Sequence, residues 1–93
     1  MSNPAMRGVT PADMEAAIVA ARAMTRTMAK HAKARGLDDA GAYILILAAA
    51  TSALAQTFTT LDIDAATATA EVESVARGML PDMMAGMSRS VPA

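Results

Sequence analysis

The apolar positions of this chain recur at helical spacing in three successive segments. In the first, Met14, Ala17, Ile18, Ala21, Met24, Met28 and Ala32 follow the i, i+3, i+4, i+7 rhythm of an amphipathic helix. Its start is well marked. Thr10 is a suitable N-cap, Pro11 sits where a missing N–H costs nothing, and Asp13 puts negative charge in the first turn. Lys30, Lys33 and Arg35 complement the carboxyl end of the helix dipole, and Gly36 suits the position just past the end. The pattern predicts a helix over 11–35.

Leu37 and Asp38 leave room for only a tight turn before a second helix, predicted over 39–60 and capped by Asp38 or Asp39. Two long helices joined so closely are expected to form an antiparallel hairpin. No charged residue falls between Asp39 and Asp62. At 100° per residue, Tyr43, Leu47, Leu54, Phe58 and Leu61 gather on one side. Ala42, Ile46, Ala49, Ala53 and Thr60 form a second, mostly small-residue face. Ser52, Gln56 and Thr59 make a polar strip, with Leu45 beside it. A helix this apolar around its circumference is expected to be buried.

The third segment, predicted over 64–80, begins at Asp62 or Asp64 and turns Ala65, Ala68, Val72, Val75, Ala76 and Met79 inward. Glu71, Glu73 and Arg77 are expected to face water. Gly78 and Pro81 weaken or kink this helix near Leu80, with a short extra turn through Met83, Met84 and Met87. The expected fold is therefore all-α: a three-helix bundle built on the antiparallel hairpin, with the third helix across it and a short kinked carboxyl-terminal extension. Residues 1–10 are expected to form a flexible segment, 11–87 a single helical domain and 88–93 a flexible tail.

Composition changes this picture in one respect. Apolar residues make up 54% of the chain, yet Ala supplies nearly half of them and Met, at nine, comes next. Leu, Ile, Val and Phe together number sixteen, which points to a thin core of closely approaching helices. A domain of 93 residues is small enough to sit near the margin of stability. With no Cys there is neither a disulfide nor a thiolate metal site, so self-association or a partner is the expected support. Met14, Met24 and Met28 are expected to fill the first helix's inner face. Met83, Met84 and Met87, beyond the bundle's end, are candidates for partner contact, because Met serves adaptable binding surfaces as well as cores. The small-residue face of Ala42, Ala49 and Ala53 is the candidate for self-association.

Charge is segregated. Residues 1–36 carry six Lys/Arg against two acidic groups, a net of +4; residues 37–93 carry seven acidic groups against two Arg, a net of −5. Arg22, Arg26, Lys30 and Lys33 fall at i, i+4, i+8 and i+11, which aligns them as one basic stripe. Like charges four apart slightly destabilise a helix, so the stripe is not explained by helix stability. It reads either as a solvated face, partly answering the acidic third helix, or as a contact for an acidic protein surface. Nucleic acid fits less well: the chain is acidic overall, has one Tyr and one Phe for stacking, and carries no recognised binding motif. A helix-turn-helix would need its uncharged second helix to read bases.

Candidates for chemistry are few. His31 is the only histidine, expected to pack at the end of the hairpin beside Asp38 or Asp39 rather than to act as a general base. Asp62-Ile63-Asp64 has the opening of a calcium loop, but Ala66 and Thr67 stand where such a loop needs a third ligand and a glycine. Helix capping accounts for both aspartates. No catalytic residue, metal site or cofactor is expected. Residues 40–61 are long enough to cross a bilayer, but Thr51, Ser52, Gln56, Thr57, Thr59 and Thr60 make them a poor lipid-facing segment. The opening residues have no apolar run of the signal-peptide kind, and a cytoplasmic location is the expectation. The expected function is a small, non-enzymatic helical interaction protein, forming homo-oligomers or modulating a larger protein partner. A nucleic-acid-associated protein using the basic stripe is the alternative, and a small membrane subunit the third.

Overall fold

In the computed structural model the chain is all-α, with α1 over Pro11–Ala34, α2 over Asp39–Thr60 and α3 over Ala65–Ser90. The structure describes residues 8–90, so the expectations for 1–7 and 91–93 lie outside the described residues. Local chemistry sets each boundary. Thr10 caps α1 from extended backbone (φ −91°, ψ 164°). Its hydroxyl accepts from the Asp13 N–H at 3.1 Å, while the Asp13 carboxylate accepts from the Thr10 N–H at 3.0 Å. Two donors that would otherwise lack partners are thereby satisfied reciprocally, with Asp serving where Glu is usual.

The two helix–helix connections share one construction. At the end of α1, Gly36 takes a left-handed conformation (φ 71°), with its N–H on the Lys33 carbonyl and the Leu37 N–H on the Ala32 carbonyl. At the end of α2, Asp62 takes the same conformation (φ 57°), with its N–H on Thr59 and the Ile63 N–H on Phe58. Both are Schellman ends, which satisfy the last carbonyls of a helix. In each, an apolar residue follows the left-handed one, and an aspartate then caps the next helix. Asp38 Oδ1 accepts from the Gly41 N–H at 3.0 Å, and Asp64 Oδ2 from the Thr67 N–H at 3.1 Å. The four-residue span from helix end to helix start suits the hairpin turn expected between α1 and α2.

The chain divides into two compact units at Ala53 and Leu54, inside α2. In the first unit the half-buried positions are Met14, Ile18, Met24 and Met28 of α1 and Gly41, Ala42, Leu45, Ile46, Ala49 and Ala50 of α2, around a buried Ala32. The three α1 methionines thus occupy the stripe expected of them. In the second unit Phe58, Ile63, Ala68, Val72, Met79, Met83 and Gly86 are half-buried. Val75, expected to face inward, is 40% exposed.

Two expectations about whole helices are corrected. The helix expected to stop near Leu80 runs through Pro81 to Ser90, so residues 88–90 belong to α3 rather than to a loose tail. Proline removes one N–H from a helix and crowds the carbonyl four residues earlier. Here strong helix formers on both sides, Met79, Leu80, Met83, Met84 and Ala85, carry the helix past it. The second correction concerns α2, which was expected to be buried: none of its residues is. A helix presents only one side to its unit, and the side used is the one where alanines permit close approach. Leu45, placed by sequence beside the polar strip, lies on that inner side, while Tyr43 and Leu47 do not.

Candidate interaction surface

The apolar character of α2 and its exposure together mark the feature most open to function. Tyr43 and Ile44 are each 59% exposed, Leu47 44%, Leu54 39% and Leu61, just past the helix, 60%. Monomeric soluble domains rarely leave a contiguous run of large apolar side chains in water. The polar residues interrupting this helix are partly turned inward on the backbone. The Thr51 hydroxyl donates to the Leu47 carbonyl at 2.7 Å and that of Thr60 to the Gln56 carbonyl at 2.8 Å. Such back-bonding consumes the hydroxyl's donor and lets the methyl dominate what the helix presents. By length and composition α2 could cross a membrane, and no residue of it is buried.

Of the three alanines assigned to self-association, Ala42 and Ala49 are half-buried within the first unit and Ala53 is exposed. The outward face of α2 instead carries the large residues. Nothing in periodicity alone distinguishes the two sides of a helix apolar on both. The discriminating signal was the Ala spacing 42, 49 and 50 together with the Met and Ala stripe of α1, since small side chains let two helices approach.

The basic stripe stands as aligned: Arg22, Arg26, Lys30 and Lys33 are all exposed on α1. The two acidic groups of α1, Asp13 and Glu15, are confined to its beginning. Glu15 and Arg22 are seven residues apart, roughly 10 Å along the axis at 1.5 Å per residue. Of the carboxyl-terminal methionines, Met83 is half-buried, Met84 59% exposed and Met87 48% exposed.

Of the residues considered for chemistry, the aspartates serve helix ends. His31 is exposed, not packed at the turn as expected; the adjacent Ala32, 2% exposed, occupies the inner position there. The Asp64 carboxylate is engaged by Thr67 twice, by the N–H at 3.1 Å and by the hydroxyl at 2.6 Å. The hydroxyl and then the backbone bond hold its pKa below the ordinary carboxylate value. Asp62 is the left-handed residue of the α2 end, so these two aspartates serve a turn. Asp13 is likewise lowered, first by the Thr10 backbone N–H and then by its hydroxyl. Among the described residues no three His, Asp or Glu side chains are grouped to hold a metal ion.

Comparison with protein families, with curated proteins and with solved structures finds no match for this chain.

Proposed function

We propose that this chain is a non-enzymatic helical interaction module, which self-associates or binds and modulates a larger protein. One observation carries the proposal: α2 exposes Tyr43, Ile44, Leu47 and Leu54 along a helix with no charged residue after Asp39. Burying such residues stabilises an association by about 25 cal/mol per Å² of apolar surface removed from water. A single buried side chain among the described residues, Ala32, leaves little interior to offset the cost of ordering the chain. The exposed basic stripe supplies a second element, suited to orienting an acidic protein surface.

Two other readings draw on the same features. Insertion of α2 into a bilayer would also cover its apolar face, and nucleic acid would also meet the stripe. Pull-down from native extract separates the three, with protein and nucleic acid both identified and the wild type compared with Leu47→Glu/Leu54→Glu. Self-association, or recovery of protein that the double variant loses, supports the module. Recovery of nucleic acid alone, or partition of the wild-type chain into the membrane fraction, overturns it.

A further inference from the structure

Four of the chain's nine methionines fall within residues 79–87, and none lies between Met28 and Met79. All four belong to α3 and to the second compact unit, so their grouping depends on one helix alone. Packing accounts for Met79 and Met83, which are half-buried. It does not account for Met84 and Met87, which are exposed, since a flexible gap-filler has no gap to fill in water.

Their spacing supplies a different reason. Side chains three and four apart on a helix are surface neighbours, with Cβ atoms about 5–6 Å apart. Long side chains on a helix lean back toward its amino end, over the residues three and four positions earlier. For Met87 those residues are Met84 and Met83, and for Met83 the residue four earlier is Met79. The thioether sulfurs of Met83, Met84 and Met87 can therefore converge on one point above the helix surface. The continuity of α3 through Pro81 to Ser90 is what groups them, because a helix ending at Leu80 would have left these three residues in an irregular segment.

From this we infer that Met83, Met84 and Met87 form a binding site for a soft monovalent cation, Cu(I). Thioether sulfur is a neutral, polarisable donor, and soft sulfur ligands select Cu(I), whereas carboxylate and carbonyl oxygens suit harder cations. The rest of the chain offers little competition for such an ion. It has no Cys, its single His31 is exposed on α1, and among the described residues no three His, Asp or Glu side chains are grouped for a metal. Exposed Met84 and Met87 leave the site open to solvent, which suits an ion held exchangeably rather than one locked into the fold. The inference goes beyond the interaction-module reading and uses neither α2 nor the basic stripe.

Nuclear magnetic resonance of the full chain carrying ¹³C-methyl methionine tests it, with Ag(I) as a redox-stable probe. Ag(I) should shift the methyl signals of Met83, Met84 and Met87 together, saturating at a single equivalent, and leave those of Met14, Met24 and Met28 in place. Cu(I), supplied anaerobically as its acetonitrile complex, should give the same pattern, and Zn(II) should give none. Met84→Leu/Met87→Leu preserves size and helix preference, so it should keep its helical circular dichroism while losing the Met83 shift with both monovalent ions. His31→Gln should bind as the wild type does. A wild type whose methyl signals ignore excess Ag(I) overturns the inference. So do equal shifts at Met14, Met24 and Met28, a Zn(II) response of the same size, or a Met83 shift that survives in a helical Met84→Leu/Met87→Leu chain. The wild-type pattern decides the matter even if the double variant loses its helical signal.

Discussion

Single residues decide where each helix stops and starts, and one glycine pair shows how context reverses a rule. Glycine within a helix is ordinarily less stable than alanine by about 0.5–1 kcal/mol. Gly78 lies in α3 with nothing within 4 Å of where a Cβ would stand, so Gly78→Ala should raise stability by about that amount. Gly41 lies in the first turn of α2, where an added Cβ would meet the Leu37 Cβ at 2.9 Å. That neighbour is the root of a side chain fixed by the Schellman turn, and it cannot swing aside. Gly41→Ala should therefore fail to stabilise, and should lower the urea midpoint if Leu37 is displaced. Equal gains from both substitutions would show that Leu37 does not pack over the start of α2. The capping aspartates carry a pH dependence of definite sign. Hydrogen bonds lower the folded-state pKa of Asp64 and Asp13 below the ordinary 3.8, so their support is complete above that value. It is lost as pH falls through the lowered folded values. Denaturant unfolding followed from neutral pH down into that acid range should show declining stability, and Asp64→Asn, whose amide oxygen still accepts from Thr67, should flatten the decline. An identical decline in the variant would mean that the Thr67 bonds do not favour the charged form.

At the level of elements, the sequence was most informative where a local signal had one meaning. Thr10-Pro11 with Asp13 admits one helix start, Gly36 followed by Asp38 and Asp39 narrows the next boundary to two neighbouring residues, and the helices begin and end there within a residue. The α2–α3 connection was harder to read because its left-handed residue is Asp62 rather than glycine. A residue of that type suggests a cap, and only the φ of 57° reveals that Asp64 alone caps while Asp62 closes the preceding helix. Asp is among the few residues that tolerate this conformation, because its short side chain can bond locally. Pro81 misled in the opposite direction. Its penalty is local, whereas the helix preference of the residues around it accumulates over several turns, and α3 continues to Ser90. The orientation of α2 was not legible at all from its own pattern. Both its sides are apolar, so the choice between them depends on α1, and pairing is a tertiary property that periodicity within one helix does not encode.

For the whole molecule, the separation of charge is the property that its helices alone do not explain. A net of −1 conceals a basic opening third and an acidic remainder along the sequence. The stripe of Arg22, Arg26, Lys30 and Lys33 is exposed throughout, so its contribution to folding should be small; exposed ion pairs are worth roughly 0–1 kcal/mol. Its effect should appear in encounter. Charges at the rim of an interface change association rates and salt sensitivity more than they change the lifetime of the complex. Arg22→Glu/Lys30→Glu should leave the unfolding midpoint nearly unchanged while slowing association with an acidic partner surface. That surface belongs either to a second copy or to another protein. Stopped-flow association over a salt series reads this directly. The wild-type rate should fall as salt rises toward 0.15 M, where the screening length is about 8 Å, and the variant's rate should not. A variant that associates as fast as the wild type, with the same salt slope, would reduce the stripe to a solvated face. A variant that unfolds would instead assign those cations to the stability of the fold, and the interaction would then depend on the exposed apolar side chains of α2 alone.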